Sequence, residues 1–142
     1  MMKILVATDG SKPSLKAVKQ AIKLAQQGSG SSTVTLISVH DDTALRHAER
    51  FVGKQAVADY LRELSDKDLA AAHKLLEKSG LRHDLIIRTG HVAAEIVATA
   101  EQGRFDLLLV GSKGHSALED FLLGSVARRV AETCKVPVLI VK

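Results

Sequence analysis

Short apolar runs alternate with longer stretches in which apolar residues recur every three or four positions. The runs are Ile4 to Thr8, Val34 to Val39, Asp84 to Arg88, Leu107 to Val110 and Val138 to Val141. Each has strand length, and the segments between them have helical periodicity. Pro13 sits where a helix can start, and Leu15, Val18, Ile22 and Ala25 follow on one face. Residues 28–32 (Gly-Ser-Gly-Ser-Ser) close that helix as a flexible turn. Thr43 to Ser79 is long and polar. Its first part, Thr43 to Gly53, is ambiguous; from Lys54 onward Val57, Leu61 and Leu64 mark one face, which Leu69, Ala72, Leu75 and Leu76 continue past a restart point at Ser65. Gly80 stands where glycine ends helices. His91 to Gln102 forms another helix with Val92, Ile96, Val97 and Ala100 inward, and Ser125 to Thr133 a last one with Val126, Val130 and Cys134 on one face. Strands alternating with helices predict an α/β fold with a parallel sheet. Leu107 to Val110 is purely apolar and is expected inside that sheet.

Composition narrows the picture. The 142 residues suit one domain with one core, so residues 1–142 are expected to form a single domain. Aromatics are 3% and Trp is absent, which leaves Val, Leu, Ile and Ala to build a core of the kind found in sheets covered by helices on both faces. The N-terminal apolar run is too short for a secretory signal, and no stretch approaches the ~20 apolar residues that span a bilayer. The one cysteine, Cys134, fits a reducing compartment and reads as a buried small hydrophobe. These features predict a cytoplasmic protein without a membrane partner. The net charge is +4, but acids interleave with the bases, as in Asp66-Lys67-Asp68, with no basic cluster or stacking platform for nucleic acid.

Candidate chemistry concentrates in Gly111-Ser112-Lys113-Gly114, followed by His115 to Leu123 and then Gly124-Ser125-Val126. This segment follows the most apolar strand and ends where a helix begins. Glycines there allow positive φ and close approach of a ligand, and the helix N-terminus offers N–H donors to an anion. The Ser125 hydroxyl can cap that helix or donate to a phosphate oxygen, while Leu118, Phe121, Leu122 and Leu123 can anchor the loop on the core. A phosphate cradle is the natural reading, although the glycines alone fit a tight turn and helix start equally well. The segment lacks the Lys-Ser/Thr pair of a P-loop, and the first βα turn, Asp9-Gly10-Ser11-Lys12, is not a dinucleotide fingerprint.

The spacing Gly111-x2-Gly114-x9-Gly124-Ser125 is similar to the nucleotide-binding signature of the ATP-binding branch of the universal stress protein family. The resemblance covers the whole chain, including Ile4-Leu5-Val6-Ala7-Thr8-Asp9-Gly10-Ser11, Val39-His40-Asp41 and Val136-Pro137-Val138-Leu139-Ile140-Val141. It implies a Rossmann-like five-stranded parallel sheet in the order 3-2-1-4-5. Strands one and four then flank the crevice in which α/β folds bind ligands. It further implies ATP as ligand, with Mg²⁺ or Mn²⁺. Ala7, Thr8 and Asp9 match nucleoside contacts, Asp9 being the ribose or metal-side carboxylate. Val39 matches the backbone position on the adenine edge, and Val110 and Gly111 line the pocket. Gly114, Gly124, Ser125 and Val126 match phosphate positions. Ala117 stands where the family often has another glycine, and His115 where an arginine is common. By itself, Asp9 would read as a strand-end turn residue.

Phosphoryl transfer needs a positioned nucleophile, a metal clamp and charge-neutralising groups. Lys113 and His115 lie in the loop, but no base or water-positioning residue stands out. The histidines (His40, His47, His73, His83, His91 and His115) show no short metal-ligand spacing, and none pairs recognisably with Cys134. No catalytic or resident metal-ligating residue is therefore assigned. The leading expectation is an ATP-responsive stress or signalling module with slow or no hydrolysis. The alternatives are a slow ATPase or autophosphorylating enzyme, and a nucleotide-free interaction protein. A homodimer through the last strand is also expected: its apolar run falls at a sheet edge in the implied order, and the family commonly pairs there.

Overall fold

The computed structural model describes residues 1–28, 31–41, 43–113 and 123–142, apart from the side chain of Ala44. In chain order the elements are β1 (Lys3–Ala7), α1 (Lys12–Gln27), β2 (Thr33–His40), α2 (Thr43–Val52), α3 (Lys54–Ser79), β3 (Arg82–Thr89), α4 (Val92–Gln102), β4 (Leu107–Gly111), α5 (Ser125–Thr133) and β5 (Val138–Val141). All sheet pairings are parallel, in the order β3-β2-β1-β4-β5. The implied topology is therefore present, with β1 in the middle and β4 inside the sheet.

Two apolar layers follow from strand alternation. Ile4, Val6, Val34, Leu36 and Leu109 face α1 and α3, where Ala17, Val18, Ala21, Leu69, Ala72 and Leu76 complete one cluster. Leu5, Ile37, Leu108 and Val110 face the other way, against Ala93, Ile96 and Ala100 of α4 and Ala127 and Val130 of α5. Helices thus cover both faces, as the aliphatic composition predicts. Ile4, Leu5 and Val6 are fully buried because β1 has a strand on either side and helices above and below. Burying each such side chain contributes about 1.5–3 kcal/mol. Small residues on α1 (Ala17, Ala21 and Ala25) let that helix lie close to the sheet.

The ambiguous Thr43 to Gly53 segment is helical up to Val52, and Gly53 breaks the chain into α3 with φ 86°. Ser65 does not restart a helix: α3 runs unbroken from Lys54 to Ser79, and Ser65 is buried on its inner face. Gly80 ends α3 in the left-handed region, φ 74°, and its N–H bonds to the Glu77 carbonyl. The third strand extends to Arg82 and Thr89, beyond the apolar run, because β2 supplies pairing partners along its whole length. Cys134 follows α5, half-buried against the second cluster. No helix among the described residues is long and apolar enough to cross a membrane.

Candidate functional site

Parallel pairing brings the carboxyl ends of the strands to one edge of the sheet. Between β1 and β4 the order reverses, because β2 continues on one side and β5 on the other. A cavity of about 470 Å³ opens at that point, within the roughly 300–1,000 Å³ usual for small-molecule sites.

Each wall comes from a different element. Ala7, Thr8 and Asp9 end β1; Ile37 and Val39 come from β2; Val110 and Gly111 end β4, with Lys113 just beyond. The first turn of α5 contributes Ser125, Val126 and Ala127 after Gly124. Val92 and Ile96 of α4 and Ser14 of α1 complete the lining. Every expected site residue except Gly114 lies on this wall. Gly114, like His115, Ala117, Leu118, Phe121 and Leu122, lies outside the described residues.

The turn after β1 is held by its own side chains. Asp9 Oδ1 accepts from Ser11 N at 2.9 Å, and Ser11 caps α1 by accepting from Ser14 N at 3.3 Å. Thr8 N donates to Ile37 O at 2.9 Å, which ties the ends of β1 and β2 together. Gly111 is required by proximity. A Cβ there would lie 2.8 Å from the Pro13 carbonyl carbon and 2.9 Å from both Pro13 O and Ser14 N. The start of α1 therefore rests directly on the end of β4.

On the opposite wall, Gly124 is the N-cap of α5 and Ser125 its first helical residue, with no side-chain cap bond. Ser125 is exposed, and the N-cap position of α5 is held by Gly124 rather than by the Ser125 hydroxyl. Gly124 N donates to Ser112 O at 2.7 Å, fastening the start of α5 to the residue after β4. Leu123 is 36% exposed and does not anchor the loop on the core. The wall is apolar along Ile37, Val39, Val92 and Ile96; Asp9 and Lys113 supply opposite charges among its described residues. The arrangement can shelter a flat apolar ring at one end and meet polar or anionic groups with hydroxyls and helix N–H donors at the other.

His40 turns away from the cavity. Its Nε2 lies 2.9 Å from Ser65 Oγ and 3.3 Å from Ser38 Oγ, joining the end of β2 to α3. Asp41 accepts from Thr43 N at 2.9 Å, and that bond holds its carboxyl below the usual carboxylate range. Among the described residues, no group of three or more His, Cys, Asp or Glu could hold a metal ion.

Sequence reasoning missed Ser14, Ile37, Val92, Ile96 and Ala127 as lining residues and gave Lys113 no binding role. Ile37 was within reach, since it stands two residues before Val39 and strand alternation puts both on one face. Val92 and Ile96 read simply as the inner stripe of a helix, and only the packing of α4 reveals that this stripe overhangs a cavity.

A model of the universal stress protein family matches residues 1–142. The universal stress protein MJ0531 of Methanocaldococcus jannaschii is 36% identical over 146 residues, covering 99% of this chain and 81% of that protein. The solved structure of MJ0577, from the same organism, superposes with a TM-score of 0.85 at 32% identity, covering 99% of this chain and 95% of the other. A universal stress protein solved in complex with cAMP superposes with a TM-score of 0.62 at 28% identity, covering 99% and 95% of the two chains.

Proposed function

The chain belongs to the universal stress protein family, and from that premise we propose that it is a nucleotide-responsive stress or signalling module whose cavity binds ATP. The observation that carries this reading is the meeting of the β1 end, the β4 end and the first turn of α5 around one cavity. The apolar wall of Ile37, Val39, Val92 and Ile96 suits an adenine ring, with the Val39 backbone on its edge. Asp9 serves the ribose, or the Mg²⁺ or Mn²⁺ that accompanies the phosphates. Val110 and Gly111 flank the ribose. The phosphates lie toward the Gly124-Ser125-Val126 start of α5, where helix N–H groups meet negative charge; Gly114 is a further phosphate position only by the family spacing. The complex of a relative with cAMP supports an adenine nucleotide as the ligand class.

Binding and response fit this wall better than rapid turnover. Asp9 is its carboxylate among the described residues, and Asp9 already holds the α1 turn through Ser11. Residues 1–142 act as one nucleotide-binding domain in the cytoplasm. Two copies pair through β5, an edge strand on which Leu139 is 37% exposed.

The test is acid release from freshly purified protein followed by nucleotide chromatography, then calorimetric titration with ATP, AMP, cAMP and GTP. ATP should bind in preference to GTP, and Gly124→Val should weaken it strongly by placing a side chain at the start of α5. A folded wild-type protein that binds no adenine nucleotide would overturn the reading. Single-turnover assays with labelled ATP and Mg²⁺ or Mn²⁺ should show little product; rapid turnover would replace the binding module with an ATPase.

A further inference from the structure

Ser14 lies in the first turn of α1, outside every motif that pointed to the cavity, yet it lines the cavity and is 4% exposed. Its hydroxyl oxygen is the hub of the β1–α1 turn. It donates to Ser11 O at 2.9 Å, and it receives Ser11 Oγ at 3.2 Å and Asp9 N at 3.4 Å. Thr8 Oγ1 lies 3.2 Å away as well.

A serine hydroxyl has one hydrogen and two lone pairs. The hydrogen goes to Ser11 O, and the lone pairs are claimed by the Ser11 hydroxyl and the Asp9 N–H. The Thr8 hydroxyl must then donate to an oxygen whose acceptor capacity is already taken. Asp9 N–H is fixed by the backbone, and Ser11 Oγ is held in place by capping Ser14 N. Thr8 Oγ1 accepts from Gly10 N at 3.4 Å, which uses a lone pair and leaves its hydrogen to rotate.

We propose that Ser14 is a positioning residue of the cavity, and that its oversubscribed hydroxyl leaves the Thr8 O–H as the donor offered to an acceptor oxygen of the ligand. This rests on the nucleotide reading above, and the acceptor is a ribose or phosphate oxygen. When ligand enters, the Thr8 hydroxyl exchanges a crowded partner for an unshared one, while Ser14 keeps Asp9 N–H and Ser11 in place. The turn needs no rebuilding on binding, which lowers the ordering cost of the complex.

The test is a double-mutant cycle read by calorimetric affinity for ATP and for adenosine, using Thr8→Val, Ser14→Ala and the pair, with melting temperatures as a folding control. Thr8→Val keeps the shape of the side chain and removes the donor. It should weaken binding by roughly 2- to 12-fold, the range of one hydrogen bond. If the acceptor is on the ribose, adenosine and ATP lose equally; if on a phosphate, ATP alone loses. In the Ser14→Ala background the same Thr8→Val step should cost clearly less, because the turn that Ser14 ties through Ser11 and the Asp9 N–H no longer fixes where Thr8 stands, and Ser14→Thr should restore part of the affinity. A purely structural Ser14 would lower the melting temperature and leave the two affinity losses additive. Additive losses, or a Thr8→Val protein with wild-type affinity for both ligands, overturn the inference while the nucleotide reading stands. A wild-type protein that binds neither ligand removes both.

Discussion

Replacing Gly111 with alanine tests whether the cavity depends on the contact between α1 and β4. The new Cβ would sit 2.8 Å from the Pro13 carbonyl carbon, and ordinary contact begins near 3.4 Å. The first turn of α1 must therefore retreat by about 0.6 Å (3.4 minus 2.8). All three clashing atoms belong to backbone, so no side-chain rotation relieves them. Overpacking of this kind costs about 1–3 kcal/mol. At roughly 2–4 °C per kcal/mol for a chain near this size, the melting temperature should fall by about 2–12 °C. ATP affinity should fall too, because the retreating turn carries Ser14 and, through it, Thr8 and Asp9. Gly80→Ala is the control. Its φ of 74° makes alanine strained by about 1–2 kcal/mol, but a Cβ there meets nothing within 4 Å and the site lies at the end of α3, away from the cavity. Calorimetric melting and ATP titration on both variants decide the matter. Gly80→Ala should lose stability and keep affinity, and Gly111→Ala should lose both. A Gly111→Ala protein with wild-type melting and affinity would refute the close-approach argument.

Ser125→Ala should leave the melting temperature unchanged, since Gly124 and not Ser125 is the N-cap of α5, and should weaken ATP by about 0.5–1.5 kcal/mol with a smaller effect on adenosine; equal losses for both ligands would remove its phosphate role. Leu139→Lys should shift the protein toward monomer in a sedimentation concentration series, with circular dichroism unchanged, and a wild-type chain that is monomeric at high micromolar concentration would defeat pairing through β5. Asp41 supports the start of α2 in its charged form, and its folded pKa is depressed by the Thr43 N–H bond. Its contribution is present above the unfolded carboxylate value of about 3.9 and is lost as pH falls through the lower folded value. Asp41→Ala should thus destabilise the protein at neutral pH, with the difference from wild type vanishing in acid; a difference that persists after protonation would assign the effect to something other than the charge.

β1, β2 and β4 were legible as short, largely aliphatic runs, which strands covered on both faces can carry without polar alternation; β3 showed only Leu85, Ile86 and Ile87 between polar residues, and Leu85 and Ile87 are exposed. Helix α2 was not legible. Leu45, Ala48 and Val52 do recur at helical spacing, but none of its described side chains is buried in either core cluster, and the helix is only ten residues long. Ser65 misled for a related reason: a serine amid a leucine pattern resembles a break, whereas here it is buried as a partner for His40. Strand order came from family resemblance, since periodicity says nothing about which strand lies beside which. The glycine spacing pointed to the α5 wall, whereas the β1 wall came from family resemblance, since the Asp9-Gly10-Ser11 turn by itself reads as a strand end. Ser14 escaped because its importance lies in hydrogen bonds to Thr8 and Asp9 that only the folded turn creates.

The pairing of β1 with β4 has a consequence for how the protein comes to be. The amide N–H of Lys3 meets the carboxylate of Asp106, 103 residues away along the chain. Until β4 is in place, the side of β1 that it pairs with is an open edge, and β1 carries Ile4, Leu5 and Val6. An apolar strand with unpaired backbone groups is a template for wrong pairing. During synthesis β1, β2 and β3 all precede β4, so a half-sheet can form long before the crevice does. Closing so long a loop is slow relative to local contacts. A ligand that touches both β1 and β4 binds only the finished sheet, and at a hundred times its dissociation constant it would stabilise that state by about 2.7 kcal/mol. A nucleotide bound there would thus act as a latch on the docking of β4 against β1, and a nascent chain ending before Leu107 would have β1, with its buried Ile4, Leu5 and Val6, exposed at an edge.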